Sequence, residues 1–412
     1  MKIFYGWRIV VAGGALQFLQ SMLLNQAFGA YLAALVAEKG WSKTALAGAA
    51  ALKSTEAALL GPVMGWMIDR FGSQGIIRAG VVTFGIGFML LSQIETLTGF
   101  YAAFIVLALG ASMCSNVTVS VAIIHWFERQ RARALSALQF GGAVGGMFVV
   151  LVAWSIEAFG WRITAFASGV AIILIGWPMS RVIRSRPEDL GETVDGVPPG
   201  TEEEQIVSKA AVQRSSFSAR EAVRTRAFWL ISLGHGFALF VVTAINVHAI
   251  THVMELGYSI AQASWVITLV TLGQFLGVML GWVVGERFEK RMVAAVCMLM
   301  HMVGLLMITY ANGWLVLTLA ALIHGTAWGL RGPFMQAMRA DYFGRGSIGL
   351  IIGLSSMITV IGQVGGPLVA GGFADWTGDY RAGFTVLAVL SGIGSLFFVM
   401  AKRPELGRSR TT

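Results

Sequence analysis

Gly65-Trp66-Met67-Ile68-Asp69-Arg70-Phe71 closes one long apolar run, and Gly281-Trp282-Val283-Val284-Gly285-Glu286-Arg287-Phe288 closes another, the two Gly-Trp pairs standing at an offset of 216. Trp126-Phe127-Glu128-Arg129 returns as Tyr342-Phe343-Gly344-Arg345 at the same offset, and Gly40-Trp41-Ser42 as Gly257-Tyr258-Ser259 at 217. Three landmarks at one spacing, just over half of the 412 residues, read as an internal duplication in which each half repeats the same fold.

Composition places the two repeats in lipid. Hydrophobic residues make up 56% of the chain and charged residues 12%, where soluble domains carry roughly 25% charged; mean hydropathy is +0.72. A bilayer-spanning helix needs about 20 mostly apolar residues. Twelve such runs fall near 8–36, 44–68, 75–95, 99–123, 134–157, 161–183, 227–253, 258–283, 291–311, 313–339, 347–374 and 379–401. A β-barrel would show short alternating segments instead. The fold class is an all-α membrane protein, with twelve transmembrane helices in two pseudo-symmetric six-helix bundles. Duplicated bundles of this kind build many membrane transporters, with the path at the interface between the repeats. The first run is too long for a signal-peptide core and has no small-residue cleavage site, so it reads as a retained helix. Cys114 and Cys297 fall inside runs, which argues against a disulfide framework.

Orientation follows from the basic residues. With both termini cytoplasmic, 24 of the 30 Lys and Arg lie in inside segments, and only Lys39, Lys43, Arg162 and Arg381 lie in outside loops. The formal charge of +9 thus marks a membrane face rather than a nucleic-acid partner. The expected organisation is an N-terminal bundle over 1–183, a cytoplasmic linker over 184–226, a C-terminal bundle over 227–401 and a tail over 402–412. Pro, Gly and Glu dominate the first part of the linker, and Ser218-Ala219-Arg220-Glu221 has the spacing of a capping box that starts a short surface helix.

Gly65-x-x-x-Asp69-Arg70-x-Gly72 resembles the signature loop of the major facilitator superfamily, and the six-plus-six layout agrees over essentially the whole chain; the last basic positions of that signature are replaced by Ser73 and Gln74. Tyr5-Gly6-Trp7, then Trp126-Phe127-Glu128-Arg129-Gln130-Arg131 leading into Gly141, Gly142, Gly145 and Gly146, resemble the monocarboxylate-porter and oxalate–formate-antiporter branch. So does Asp341-Tyr342-Phe343-Gly344-Arg345, with Gly366-Pro367 and Asp375-x-Thr377-Gly378-x-Tyr380 after it. For Asp69 the resemblance implies a conformational latch that holds the cytoplasmic side closed, with Arg70, Arg129, Arg131 and Arg133 as its neighbours. A static surface ion pair worth ~0–1 kcal/mol is the plainer alternative. The glycines of the fifth and eleventh runs serve either as close-packing sites or as hinges.

Charged groups inside the bilayer mark sites, because each costs about 2.5–3.5 kcal/mol or more. There are three: Lys53 and Glu56 in the second run, and Arg331 in the tenth. Lys53 and Glu56 form either a self-neutralising i,i+3 pair or a site at which Glu56 carries a coupling proton. Arg331 lies ~12 Å from the cytoplasmic end at Arg339, given a rise of 1.5 Å per residue, and shares a helix face with His324, seven residues earlier. A guanidinium offers a fork matched to a carboxylate. Further polar candidates are Gln17, Gln20, Asn25, Gln26, Asn116, Asn246, His248, Gln262 and Gln274. Tyr31 and His248 occupy equivalent places, each nine residues before its repeat's glycine. His248 and His252 have an i,i+4 spacing that suits a metal but no third ligand, so interhelical hydrogen bonding is the plainer reading.

The branch's own anion sites do not carry over. Animal monocarboxylate porters typically hold an Asp/Arg pair in the eighth helix, and the oxalate antiporter a basic residue in the eighth and eleventh; here those spans hold no Lys, Arg, Asp or Glu. An anion must then be held by Arg331 or Lys53. The expected function is secondary transport of a small organic anion, a monocarboxylate, with a proton as coupling ion, by rocking of two halves in the cytoplasmic membrane. The expected protein is a monomer with no enzymatic activity, cofactor, metal or nucleic-acid partner. Export of neutral or amphipathic compounds, or a sensor on the same scaffold, are the alternatives; the helix-5 Gly-Pro of drug–proton antiporters is absent, since Met147 follows Gly146.

Overall fold

The computed structural model describes residues 4–41, 60–197 and 216–405, and these are helical with no strand. Helix α1 spans Tyr5–Lys39. It runs as an α-helix to Gln20, takes one π-helical turn over Ser21–Asn25, and resumes at Phe28. Gly40, at φ +65°, ends it by donating its N–H to the Val36 carbonyl at 3.1 Å. Helix α2 is described over 60–71, and α3 spans Ser73–Leu91. Helix α4, Leu97–Trp126, starts at the Thr96 cap and is broken at Cys114 and Ser115. The next apolar stretch, Arg131–Val182, is continuous in length but not in direction: Gly160 at φ +81° divides it into α5 (131–159) and α6 (161–182). A residue with a Cβ rarely adopts that backbone, so the glycine sets the boundary.

A short helix, Ala219–Arg224, precedes the second half and carries the capping box expected of Ser218 and Glu221, with Glu221 accepting the Ser218 N–H at 2.8 Å. Then come α7 (Arg226–Glu255), α8 (Ile260–Val284), α9 (Lys290–Thr309), α10 (Trp314–Phe343), α11 (Ile348–Thr377) and α12 (Arg381–Met400). Ser259 and Gln262 form a second capping box at the start of α8. These are the twelve helices of the sequence pattern, with the 44–59 part of the second run outside the described residues.

The chain divides into two compact units, Met1–Arg129 with Ala137–Pro199, and Gln130–Ser136 with Gly200–Thr412. In the first unit, α3 packs on α4 and α6, and α1 crosses α5 so closely that a Cβ on Gly141 would overlap the carbonyl of Gly14. In the second, α9 packs on α10 and α12, α8 on α10, and α7 crosses α11 with Gly362 against the carbonyl of Gly236. Without a hydrophobic drive between helices in lipid, such small-residue contacts let dispersion hold the bundle. Ser391 and Ser395 of α12 add hydroxyl bonds of 2.9 Å to the α9 carbonyls of Met298 and Ala295.

Candidate functional site

Helix α10 is the most deeply buried element of the second unit, and it carries its polar groups inward. His324, Arg331 and Arg339 are 0%, 1% and 3% exposed. The sequence places Arg339 at the membrane face. Helix α10 continues past it to Phe343, so Arg339 sits four residues before the helix end and is packed within the bundle. One terminal nitrogen of Arg339 donates to Ser355 Oγ of α11 at 2.8 Å and to Nδ1 of His235 in α7 at 2.9 Å. A guanidinium only donates, so Nδ1 of His235 holds its lone pair and the ring carries its proton on Nε2. Ser355 in turn meets Ser232 at 2.8 Å.

Two turns along α10, Arg331 is in a different position. Its Nε and Nη1 have no hydrogen-bond partner among the described residues. Among the described residues, the groups within its electrostatic reach include His235, His301, His324, Cys297 and Arg339, and none of these is a carboxylate. A buried cation without a counter-charge is costly, and the cost falls only when an anion arrives. His324 lies on the face predicted for it and meets His301 of α9, Nδ1 to Nδ1, at 3.0 Å. Gln336 adds a side-chain oxygen without a partner among the described residues. His235, His301, His324, Arg331, Arg339 and Ser355 together form a largely buried, net-positive cluster on α7, α9, α10 and α11.

The other candidates lie apart from this cluster or in supporting roles. Lys53 and Glu56 lie outside the described residues. Gln17 and Gln20 donate to the carbonyls of Cys114 and Ala111 at 3.0 and 3.1 Å, satisfying groups that the break in α4 leaves without helical partners. Tyr31 bonds Ser168 at 3.2 Å. Asn25, at the π-turn of α1, and Asn246 of α7 are exposed, and Gln274 of α8 is half-buried. His248 bonds the Pro367 carbonyl of α11 at 3.0 Å and His252 the Ile308 carbonyl of α9 at 3.2 Å. Each histidine thus joins a pair of helices, as the plainer reading of their spacing has it.

The latch candidates also separate. Asp69 and Arg70 line a cavity of about 510 Å³ in the first unit, together with Arg78, His125 and Asp189, and Arg70 lies over the rings of Trp66 and Phe71. The backbone N–H of Arg129 donates to Asp195 at 2.9 Å, and the side chain of Arg133 rests on Gly285. A denser ion cluster lies in the second unit, where the first turn of α5 is grouped. Arg131 pairs with Asp341, Lys290 bridges Asp341 at 2.8 Å and Glu286 at 2.6 Å, and Glu286 accepts the N–H of Ala132. A carboxylate at a helix N-terminus is favoured by both the free N–H groups and the dipole. The signal for Glu286 was present in the sequence, since it follows Gly281-Trp282 much as Asp69 follows Gly65-Trp66. Nothing comparable marked Lys290, His301 or His235.

Comparison with known proteins gives one family and one fold. The Major Facilitator Superfamily matches residues 13–259 and again 231–412. The chain is 23% identical to Monocarboxylate transporter 13 of Bos taurus, covering 95% of this chain and 88% of that protein. It is 24% identical to the membrane sensor protein UhpC of Salmonella typhimurium, over 83% of this chain and 80% of that one. The crystal structure of a double-Trp mutant of XylE superposes with a TM-score of 0.79 at 15% identity, over 98% of this chain and 97% of the other.

Proposed function

This chain belongs to the Major Facilitator Superfamily, and on that premise we propose that it carries a small organic anion, a monocarboxylate, across the membrane with a proton, by alternating access. The observation that carries the substrate class is Arg331: a fully buried guanidinium, partly unpartnered, in a cluster of Arg, His and Cys with no carboxylate beside it among the described residues. Its planar fork matches a carboxylate in two parallel hydrogen bonds, and burial makes that match discriminating. The name of the bovine relative points to the same class. The Arg131–Asp341–Lys290–Glu286 cluster acts in this reading as the latch, because its pairs can form in one conformation and part in another. The excess of Lys and Arg puts this end, and both termini, in the cytoplasm.

The test is uptake of labelled lactate, pyruvate and other carboxylates into proteoliposomes under an inward proton gradient, with Arg331→Gln alongside. Gradient-stimulated uptake that the variant loses supports the reading. Folded protein that takes up no carboxylate removes it. The likeness to UhpC favours a second reading, a sensor on the same scaffold. That reading predicts carboxylate binding without turnover.

A further inference from the structure

We propose that the His301–His324 pair is where the co-transported proton resides, and that the pair accepts it when a carboxylate settles on Arg331. The inference rests on the carboxylate reading above and adds the residues that carry the coupling. Both rings are fully buried, 0% exposed, and their Nδ1 atoms are 3.0 Å apart with the ring centroids at 4.7 Å. At that separation two imidazoles share a single proton: one ring is the Nδ1–H donor and the other presents its lone pair. The donor ring must then carry its one acceptor lone pair on Nε2.

Neither Nε2 has a partner among the described residues. A proton added to the donor's Nε2 gives an imidazolium bonded to a neutral imidazole through the contact already in place, a charge-assisted hydrogen bond. A further proton would set two Nδ1–H groups head to head. The pair therefore takes up one proton and no more.

The surroundings decide when it does so. From α10 the pair faces Arg331, seven residues along the same side, with Arg339 beyond it. Helix α9 contributes Cys297, one turn before His301, and α7 contributes His235. Helix α8 offers the neutral Gln274, and α12 the hydroxyls of Ser391 and Ser395, both bonded to α9 carbonyls. With no carboxylate among these described groups, the charge on Arg331 opposes a proton on the pair. An anion bound to Arg331 reverses the sign of that field. Anion and proton then bind with positive coupling in both directions, as linkage requires, and one proton travels with each anion.

The experiment uses full-length protein in proteoliposomes. It compares carboxylate exchange at equal pH with accumulation driven by an inward proton gradient, for the wild type, His301→Gln and His324→Gln. The expected result is a ratio of accumulation to exchange at least tenfold lower in both variants. A ratio unchanged from wild type, or exchange and accumulation lost in parallel by folded variants, overturns the proposal. Purified wild-type protein in weakly buffered solution gives a measurement independent of any variant: carboxylate addition should draw about one proton per site from the medium. Binding without proton uptake overturns the inference and leaves the carboxylate reading standing. Absence of carboxylate binding removes both.

Discussion

Asp341 of α10 takes the guanidinium of Arg131 on one carboxylate oxygen while Lys290 holds the other at 2.8 Å. The Arg131 side chain is 4% exposed and that of Asp341 29%, so the pair sits at the edge of the buried region. Asp341→Asn takes the Asp341 carboxylate away from a nearly buried guanidinium. Full burial would make that cost ~3–5 kcal/mol, and partial solvation of Asp341 reduces it to about 1–3 kcal/mol. A lower unfolding temperature in detergent is expected, and Lys290→Gln should give a smaller drop. An unchanged unfolding temperature for Asp341→Asn would reduce the cluster to a surface decoration.

Adjacent glycines of α5 should respond in opposite ways. A Cβ on Gly141 would overlap the Gly14 backbone, whereas one on Gly142 comes no nearer to a neighbour than 3.8 Å, at Gln17. Gly141→Ala should therefore cost roughly 1–3 kcal/mol by overpacking, and Gly142→Ala almost nothing. Yield and monodispersity on size exclusion report the contrast. Equal behaviour of the two variants would mean that α1 and α5 are further apart than described.

That contrast shows where the sequence stops. The glycine run of α5 announces a close helix contact, but only the fold says which face of it is used. Local signals were readable because they act over three or four residues: Ser218 with Glu221, Ser259 with Gln262, and Gly40 ending α1. Buried Arg331 and its face-mate His324 were readable because a charge in an apolar run has few explanations. His301 was not readable. It is a lone histidine in an apolar helix, and its partner, 23 residues away, becomes visible only when α9 packs on α10. Nor was the end of α10: hydropathy fades at Arg339, while the helix itself continues to Phe343.

Acid should loosen the loop between α3 and α4. Hydrogen bonds from Lys39 and then Arg162 hold the Glu95 carboxyl below the usual carboxylate range. A carboxyl whose folded value is depressed adds stability above its unfolded value and loses it as pH falls through the folded one. Glu95→Gln should therefore unfold below the wild type at neutral pH, and the two curves should converge as pH falls through the depressed folded value. A constant gap over that fall in pH would mean the ion cluster does not survive in solution.

Arg331 separates stability from function. A structural arginine stabilises the protein, so its replacement by an apolar residue of similar length should lower the unfolding temperature. A guanidinium kept for an incoming anion does the reverse, because it is buried, 1% exposed, and lacks partners at Nε and Nη1 among the described residues. Replacing buried charges with well-packed apolar side chains is often stabilising, by about 1–4 kcal/mol. Arg331→Met should therefore raise the unfolding temperature and abolish carboxylate-dependent stabilisation. Arg331→Lys keeps the charge but loses the fork, and should keep only weak binding. The two effects can be read on one instrument, by thermal unfolding with and without carboxylate. An Arg331→Met protein less stable than wild type would assign the guanidinium to the scaffold, and the anion site would have to be sought elsewhere.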